Sequence, residues 1–339
     1  MSTQVSVPGR VNLIGDHVDY TGGLVLPMAV DMRTVITAEP ARRIELRSDD
    51  DADSCVIDLP AANDPMRMPR WARYVAAVAH EMEAAGITPQ GIQGDIHTDL
   101  PVGAGLSSSA ALEIAVALAL GFRGTSLELA QLCQRAEHRA TGVPTGIMDQ
   151  LSIVSARESH ATLIDCHSNT VTHVLLPDDV AWFVQFVAHR TLEGSPYADR
   201  VAQCARAEEI IGPLRTATED DVSHIDDQII RSRARHVISE NARVRECADA
   251  LARADYDRAG ALMSDSHRSL TVDYGVSTPQ MDDVVRKLCE TPGVFGARMT
   301  GGGFGGCVVA MVDATSDFAR NMTKAGWRVS PAAGPVVNQ

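Results

Sequence analysis

Apolar positions along the chain change period several times, and the changes sketch its elements. Residues 2–7 alternate and meet Pro8-Gly9, which predicts a short first strand feeding a turn. The apolar stretch 24–40 predicts a strand pair, and 43–58 a hairpin whose tip, SDDDADS, is solvated charge. Over 71–85 the spacing becomes helical, with Trp71, Tyr74, Val75, Val78 and Met82 on one face and Gly86 as a stop. Residues 91–100 alternate again and lead into PVGAGLSSSAA at 101–111, followed by an Ala/Leu-rich helix to about residue 120. A second helix covers 127–140, and strands at 161–165 and 170–177 form a hairpin turning at Ser168-Asn169.

The second half begins with a strand at 182–188 and the polar loop HRTLEGSPY at 189–197. Helical patterning runs over 198–254 with a break at 213–220, then over 255–270 and 278–289. Residues 293–312, GVFGARMTGGGFGGCVVAMV, read as a strand, a glycine run and a second apolar strand or helix. Alternation of both element types in both halves predicts a mixed α/β (α+β) chain. The turn-rich stretch 177–179 divides it into domains 1–177 and 178–339.

A chain of 339 residues with 45% hydrophobic content can bury the cores of two domains. Its net charge of −14 excludes a nucleic-acid partner, which needs a concentrated basic face. The seven cysteines contain no CxxC pair, which favours reduced structural thiols over a disulfide framework or a zinc site. With no signal-peptide pattern and no apolar run of about 18 residues, the expected location is cytoplasmic, away from membranes. A monomer is expected.

Two stretches carry candidate chemistry. In 101–111, Gly103 and Gly105 let backbone approach a ligand, three serines follow, and a helix begins, so free N–H groups and the positive dipole end favour an anion. The only lysines are Lys287 and Lys324, so a Walker A lysine is absent and any nucleotide would be held by another loop design. The bland reading makes Ser107 a helix N-cap. Residues 10–23, RVNLIGDHVDYTGG, gather Arg10, Asp16, His17, Asp19 and Tyr20 on a glycine-punctuated loop, more polar groups than a solvated turn requires. Spacing alone leaves Asp149 either a site residue or a helix cap.

Three ordered segments, PGRVNLIGDHVDYTGG, PVGAGLSSSAA and ARMTGGGFGGC, resemble the three signature motifs of the GHMP small-molecule kinases. GIMDQ at 146–150, LIDC at 163–166 and SHRSLTVDYGVS at 266–277 extend the resemblance to members acting on galactose-like sugars, over nearly the whole chain. The resemblance implies two α/β domains with the active site in the cleft between them. It also implies a reaction in which MgATP phosphorylates the anomeric hydroxyl of an α-D-galactose-like sugar. On that basis Gly103, Ala104, Gly105, Leu106, Ser107, Ser108 and Ser109 cradle the ATP phosphates, and Ser109 and Glu137 match the Mg²⁺ ligands. Asp149 matches the base, Arg10 the arginine that stabilises transition-state charge, and Asp16, His17, Asp19 and Tyr197 the sugar contacts. Gly301 to Gly306 match the third loop. His267 and Arg268 read as helix-packing or capping residues at least as readily as ligand contacts, Cys307 as inert filling, and Tyr20 and Tyr274 as packing near the site without catalytic roles. The family's first motif normally carries Glu where this chain has Asp16, which keeps open a C1 kinase of another sugar, such as an N-acetylhexosamine or arabinose. A third reading, of a different class, is a sugar and ATP sensor without turnover, against which the intact set Arg10, Ser109, Glu137 and Asp149 argues.

Overall fold

The computed structural model describes residues 2–61, 64–101, 103–189, 195–322 and 326–338. Most of the loop 189–197 and Lys324 therefore lie outside the described residues. The first strand, β1 (Thr3–Asn12), is longer than its alternation suggests and runs through Pro8-Gly9. There is no turn there; the register shifts between Pro8 and Arg10 in a bulge. The reason is a close approach of the serine-rich loop. Arg10 N–H donates to the Leu106 carbonyl at 3.1 Å, and a Cβ on Gly9 would lie 2.6 Å from that same oxygen. Any side chain at position 9 would push the loop off the strand.

The stretch 24–40 is not a strand pair either. A two-residue β2 (Leu24–Val25) joins one sheet, and β3 (Pro27–Pro40) runs unbroken beside β1 in another. Its first four residues are buried, so no periodicity marks a break within it. The hairpin β4 (Ile44–Ser48) and β5 (Asp51–Ile57), helix α1 (Ala72–Ala84) and strand β6 (Ile92–Thr98) follow expectation. After the serine loop come α2 (Ser108–Ala119), α3 (Ser126–Thr141) and the short α4 (Met148–Val154). Helix α3 opens on a Thr125–Glu128 capping box and stops at Gly142 in the left-handed region, which fixes where Glu137 projects. The hairpin β7 (His160–Asp165) and β8 (Thr170–Leu175) completes the first half, with β2 added to its edge.

The second half contains β9 (Val180–Ala188), α5 (Tyr197–Ile211), the single turn α6 (Glu219–Val222), α7 (Gln228–Ala252) and α8 (Tyr256–Ser269). A wider π turn continues α8 over Leu270–Tyr274 and ends at Gly275, φ 65°. Helix α9 (Pro279–Cys289) leads to β10 (Val294–Thr300), the glycine loop and β11 (Gly306–Asp313), which resolves the open choice there in favour of a strand. Three further elements carried no usable pattern: α10 (Asp317–Asn321), β12 (Trp327–Val329) and β13 (Val336–Asn338).

These strands form a six-stranded sheet β13-β1-β3-β6-β4-β5, a four-stranded sheet β10-β11-β9-β12 and a three-stranded sheet β2-β7-β8. Helix α2 packs on β1 and β3, with α1, α3 and α4 around it, while α8 and α9 pack on β10. One apolar cluster joins α2, the first sheet and residues of α7, α8, β9 and β11. A second one, built on Val18, Ile147, Leu151, Tyr274 and Met299, lies beneath the loops that carry the motifs. Motif loops from distant parts of the sequence are thus held on one shared apolar base.

Candidate active site

Ser107 occupies the N-cap position of α2, with φ 57° and ψ 42°, yet its side chain makes no cap bond. It donates instead to Asp149 Oδ2 at 2.6 Å. The capping role expected of a serine there is given up, and the first-turn N–H groups of α2 stay available to an anion. Asp149 is not a cap either. It stands inside the first turn of α4, where an acid is favoured by the dipole, and Ile147 is the N-cap. Arg10 Nε donates to Asp149 Oδ1 at 2.8 Å, Nη2 contacts the same oxygen, and Nη1 donates to the Gly105 carbonyl at 2.7 Å. One guanidinium therefore ties β1, the serine loop and α4 together.

Glu137 faces this group from α3. It accepts hydrogen bonds from Ser109 Oγ (3.0 Å), Thr145 Oγ1 (2.9 Å) and Gln150 Nε2 (3.0 Å). Burial pushes its carboxyl above the usual range, Asp149 adds to the shift, and the three bonds pull against it. Gln150 also donates to Glu113 at 3.1 Å; this wholly buried acid is held well above the carboxylate range by burial and then by Glu137. The cluster is rich in carboxyl groups and has Arg10 as its adjoining cation.

The second end of the site is built by residues 15–20 and the glycine loop. Asn12 and Thr300 exchange hydrogen bonds, N–H to Oγ1 at 3.1 Å and O–H to carbonyl at 3.0 Å, which fastens the loop start to β1. Asp16 accepts from the Gly301 N–H at 2.9 Å, and its other oxygen lies 2.6 Å from Arg298 Nη1. Burial raises the Asp16 carboxyl, with Arg298 opposing. Arg298 sits 3.8 Å from Glu240, whose pKa falls to about 2 because Arg243, His236 and Arg298 together outweigh its burial. Asp19 is raised to about 7, first by burial and then by Asp149. His17 bonds Tyr20 through Nδ1 and the Gly302 carbonyl through Nε2, and its ring lies 5.3 Å from that of Tyr197.

Many of these groups face one cleft of about 370 Å³, of the size that holds small-molecule ligands. Arg10, Asp16, His17, Asp19, Gly103, Gly105, Ser107, Ser108, Ser109, Glu137, Asp149 and Tyr197 line it together with Gly301 and Gly302. Ala104 and Leu106 of the expected cradle are buried beneath its surface instead, Leu106 presenting its carbonyl to β1. His267 follows the packing expectation: it is buried and accepts from Met299 N–H at 3.3 Å.

Several lining or supporting residues escaped the sequence reading. Trp71 and Tyr74 were readable only as a helix face, yet they form an aromatic wall of the cleft with Arg70 and Leu112. Glu113 and Arg298 left a usable trace, because each is the lone charge within an apolar run, in LEIAVALAL and in FGARM.

Three family models match stretches of the chain. The model described as the galactokinase galactose-binding signature matches residues 3–40, the GHMP kinases N terminal domain matches 73–157, and the GHMP kinases C terminal matches 247–327. Galactokinase of Bos taurus is 40% identical over 333 residues, covering 92% of this chain and 84% of its own. Galactokinase of Mycobacterium tuberculosis is 37% identical over 347 residues, with 98% and 95% covered. Among solved structures, Lactococcus lactis galactokinase complexed with galactose aligns at TM-score 0.91 and 28% identity, covering 99% of this chain and 95% of that one.

Proposed function

The chain belongs to the galactokinases of the GHMP kinase family and is a sugar kinase, and from that premise we propose how its residues move a phosphoryl group from ATP to the C1 hydroxyl of α-D-galactose. The observation that carries this reading is the Asp149 carboxylate, fixed by Arg10 and Ser107 beside the open N-terminus of α2. Phosphoryl transfer needs aligned reactants, charge neutralisation and a proton acceptor. Asp149 is the acceptor: its Oδ2 takes the C1 hydroxyl proton as the sugar oxygen attacks the γ-phosphorus and the bond to the β,γ-bridging oxygen breaks, releasing ADP. Arg10 orients that carboxylate and offers positive charge to the transferring group.

The backbone of Gly103 to Ser109 and the α2 terminus bind the ATP phosphates, with Trp71 and Tyr74 walling the other end of the cleft. Asp16, His17, Asp19 and Tyr197 receive the sugar. Ser109 and Glu137 suit magnesium, a hard cation that takes oxygen donors and shares its coordination with phosphates; the carboxyl-rich surroundings of Glu137 fit a cation there. When bound, magnesium neutralises phosphate charge. The working division is 1–177 and 178–339, acting as a monomer in the cytoplasm; no helix among the described residues is long and apolar enough to cross a membrane.

The test is a coupled ADP-release assay over a panel of free sugars, run on the wild type and on Asp149→Asn. Galactose-dependent ADP release is expected, with kcat lowered about 10²- to 10⁴-fold in the variant while ATP still binds. Near-normal turnover in Asp149→Asn removes it as the base. A better response to an N-acetylhexosamine or arabinose reassigns the sugar, and ATP binding without sugar-dependent ADP favours a sensor.

A further inference from the structure

His17 is held by a buried line of hydroxyl and thiol groups that reaches into the second half of the chain. Its Nδ1 is 3.0 Å from Tyr20 Oη, which is 2.6 Å from Tyr274 Oη, which is 3.0 Å from Cys204 Sγ on α5. Tyr274 is wholly enclosed and Cys204 nearly so. The π turn sets Tyr274 against the His17 ring, centroids 4.9 Å apart, and His236 packs on its other neighbourhood at 4.5 Å. Arg200 Nε anchors the Tyr274 carbonyl at 2.9 Å.

Donor and acceptor capacities give this line a direction. The Gly302 carbonyl, 3.3 Å from Nε2, can only accept, so the proton of neutral His17 sits on Nε2. Nδ1 is then an acceptor and Tyr20 O–H donates to it. Tyr20 oxygen in turn accepts from Tyr274 O–H, and Tyr274 oxygen accepts from the Cys204 S–H. Burial lifts that thiol to about 12, so it keeps its proton and ends the line as a donor.

We infer that Cys204, Tyr274 and Tyr20 are positioning residues that fix His17 as its Nε2–H tautomer, so that it presents a hydrogen-bond donor to a sugar oxygen in the cleft. His17 lines the cleft beside Gly302, and at 3.3 Å its bond to that carbonyl is long enough to be shared with an incoming hydroxyl oxygen. The inference rests on the reading of His17 as a sugar contact. Without Tyr274 the Tyr20 hydroxyl is no longer held as a donor and can turn to accept from Nδ1–H, so the other tautomer, which offers the cleft an acceptor, becomes populated.

The experiment uses the full chain with Tyr274→Phe, Cys204→Ala and Cys204→Ser, and His17→Ala as the control. Tyr274→Phe is expected to raise the galactose KM roughly three- to tenfold while the ATP KM stays put. Cys204→Ala does the same more weakly, and Cys204→Ser, which restores a donor, returns it toward wild type. In ¹⁵N-histidine spectra of the sugar-free protein, the wild-type His17 shows the Nε2–H pattern and Tyr274→Phe a mixture of tautomers. An unchanged tautomer with unchanged galactose KM overturns the inference, as does an equal rise in both KM values, which marks a merely structural role. If Tyr274→Phe does not fold, the Cys204 pair decides by the same readouts. An unchanged galactose KM in His17→Ala overturns the sugar-contact reading instead, and the tautomer measurement then decides separately whether the line holds His17 in one form.

Discussion

Two arginine–carboxylate pairs join residues 10–16 to later motifs, and they differ in what surrounds them. In the outer pair, Arg10 and Asp149, the arginine is 3% exposed and the acid 24%, so one carboxylate edge faces the cleft. In the inner pair, Arg298 and Asp16, the figures are 0% and 1%, and the neighbours are Glu240 and the Gly301 N–H. An edge open to the cleft can exchange a proton with a substrate. The sealed pair cannot; it holds backbone, Gly301 N–H through Asp16 and Gly15 N–H, which donates to Glu240 at 3.0 Å, and so sets Asp16 in place at the cleft. The same pairing of groups therefore serves reaction in one place and arrangement in the other.

The contrast is broken most directly at Arg298. Arg298→Met leaves Asp16 and Glu240 buried without their guanidinium and should cost about 3–5 kcal/mol of unfolding free energy in urea titration. A cost below about 1 kcal/mol would mean that the inner charges are not bound up with the fold. Glu240 sharpens the point through pH. Its folded pKa of about 2 lies below the ordinary 4.5, so its ionisation stabilises the fold above pH 4.5 and that contribution fades as pH falls toward 2. The stability difference between wild type and Glu240→Gln should accordingly shrink by on the order of 3 kcal/mol across that window, and a constant difference would deny Glu240 its charge. The smallest effect belongs to the outer pair: Ser107→Ala removes one hydrogen bond to Asp149 while Arg10 keeps two contacts. It should lower kcat roughly three- to tenfold with stability changed by less than about 1 kcal/mol. A loss of stability larger than the loss of rate would erase the distinction between the two pairs.

Much of this was legible in the chain because the groups concerned are marked locally. Gly103, Gly105 and three serines before an Ala/Leu run announce a helix terminus open to an anion, and that terminus is where α2 begins. The hairpin at 160–175 and the helices of the second half follow their periodicity. What stayed hidden depends on contacts across distance. Nothing in the residues around Pro8-Gly9 shows that Leu106 will bond the backbone there, so a bulge reads as a turn. Asp149 and Arg10 are 139 positions apart, and only the resemblance to a family put them in one site before the geometry did. Trp71 and Tyr74 obey the helical repeat whether they face a core or a cleft, and the repeat does not tell these apart. The tyrosines at 20 and 274, read as packing, do pack, but their hydroxyls meet across 254 positions of sequence, through the π turn that carries Tyr274.

Strand β13 pairs with β1, Val5 opposite Val337, so the outer edge of β1 at Gln4–Ser6 is covered by Val336–Asn338, from far later in the chain. Translation at about 5–20 residues per second leaves the nascent β1 with that edge bare for tens of seconds. During that interval Gln4–Ser6 present unpaired backbone groups to any neighbouring chain. When Val336–Asn338 dock, that short stretch gains its partner, and three residues of β13 take over as the edge.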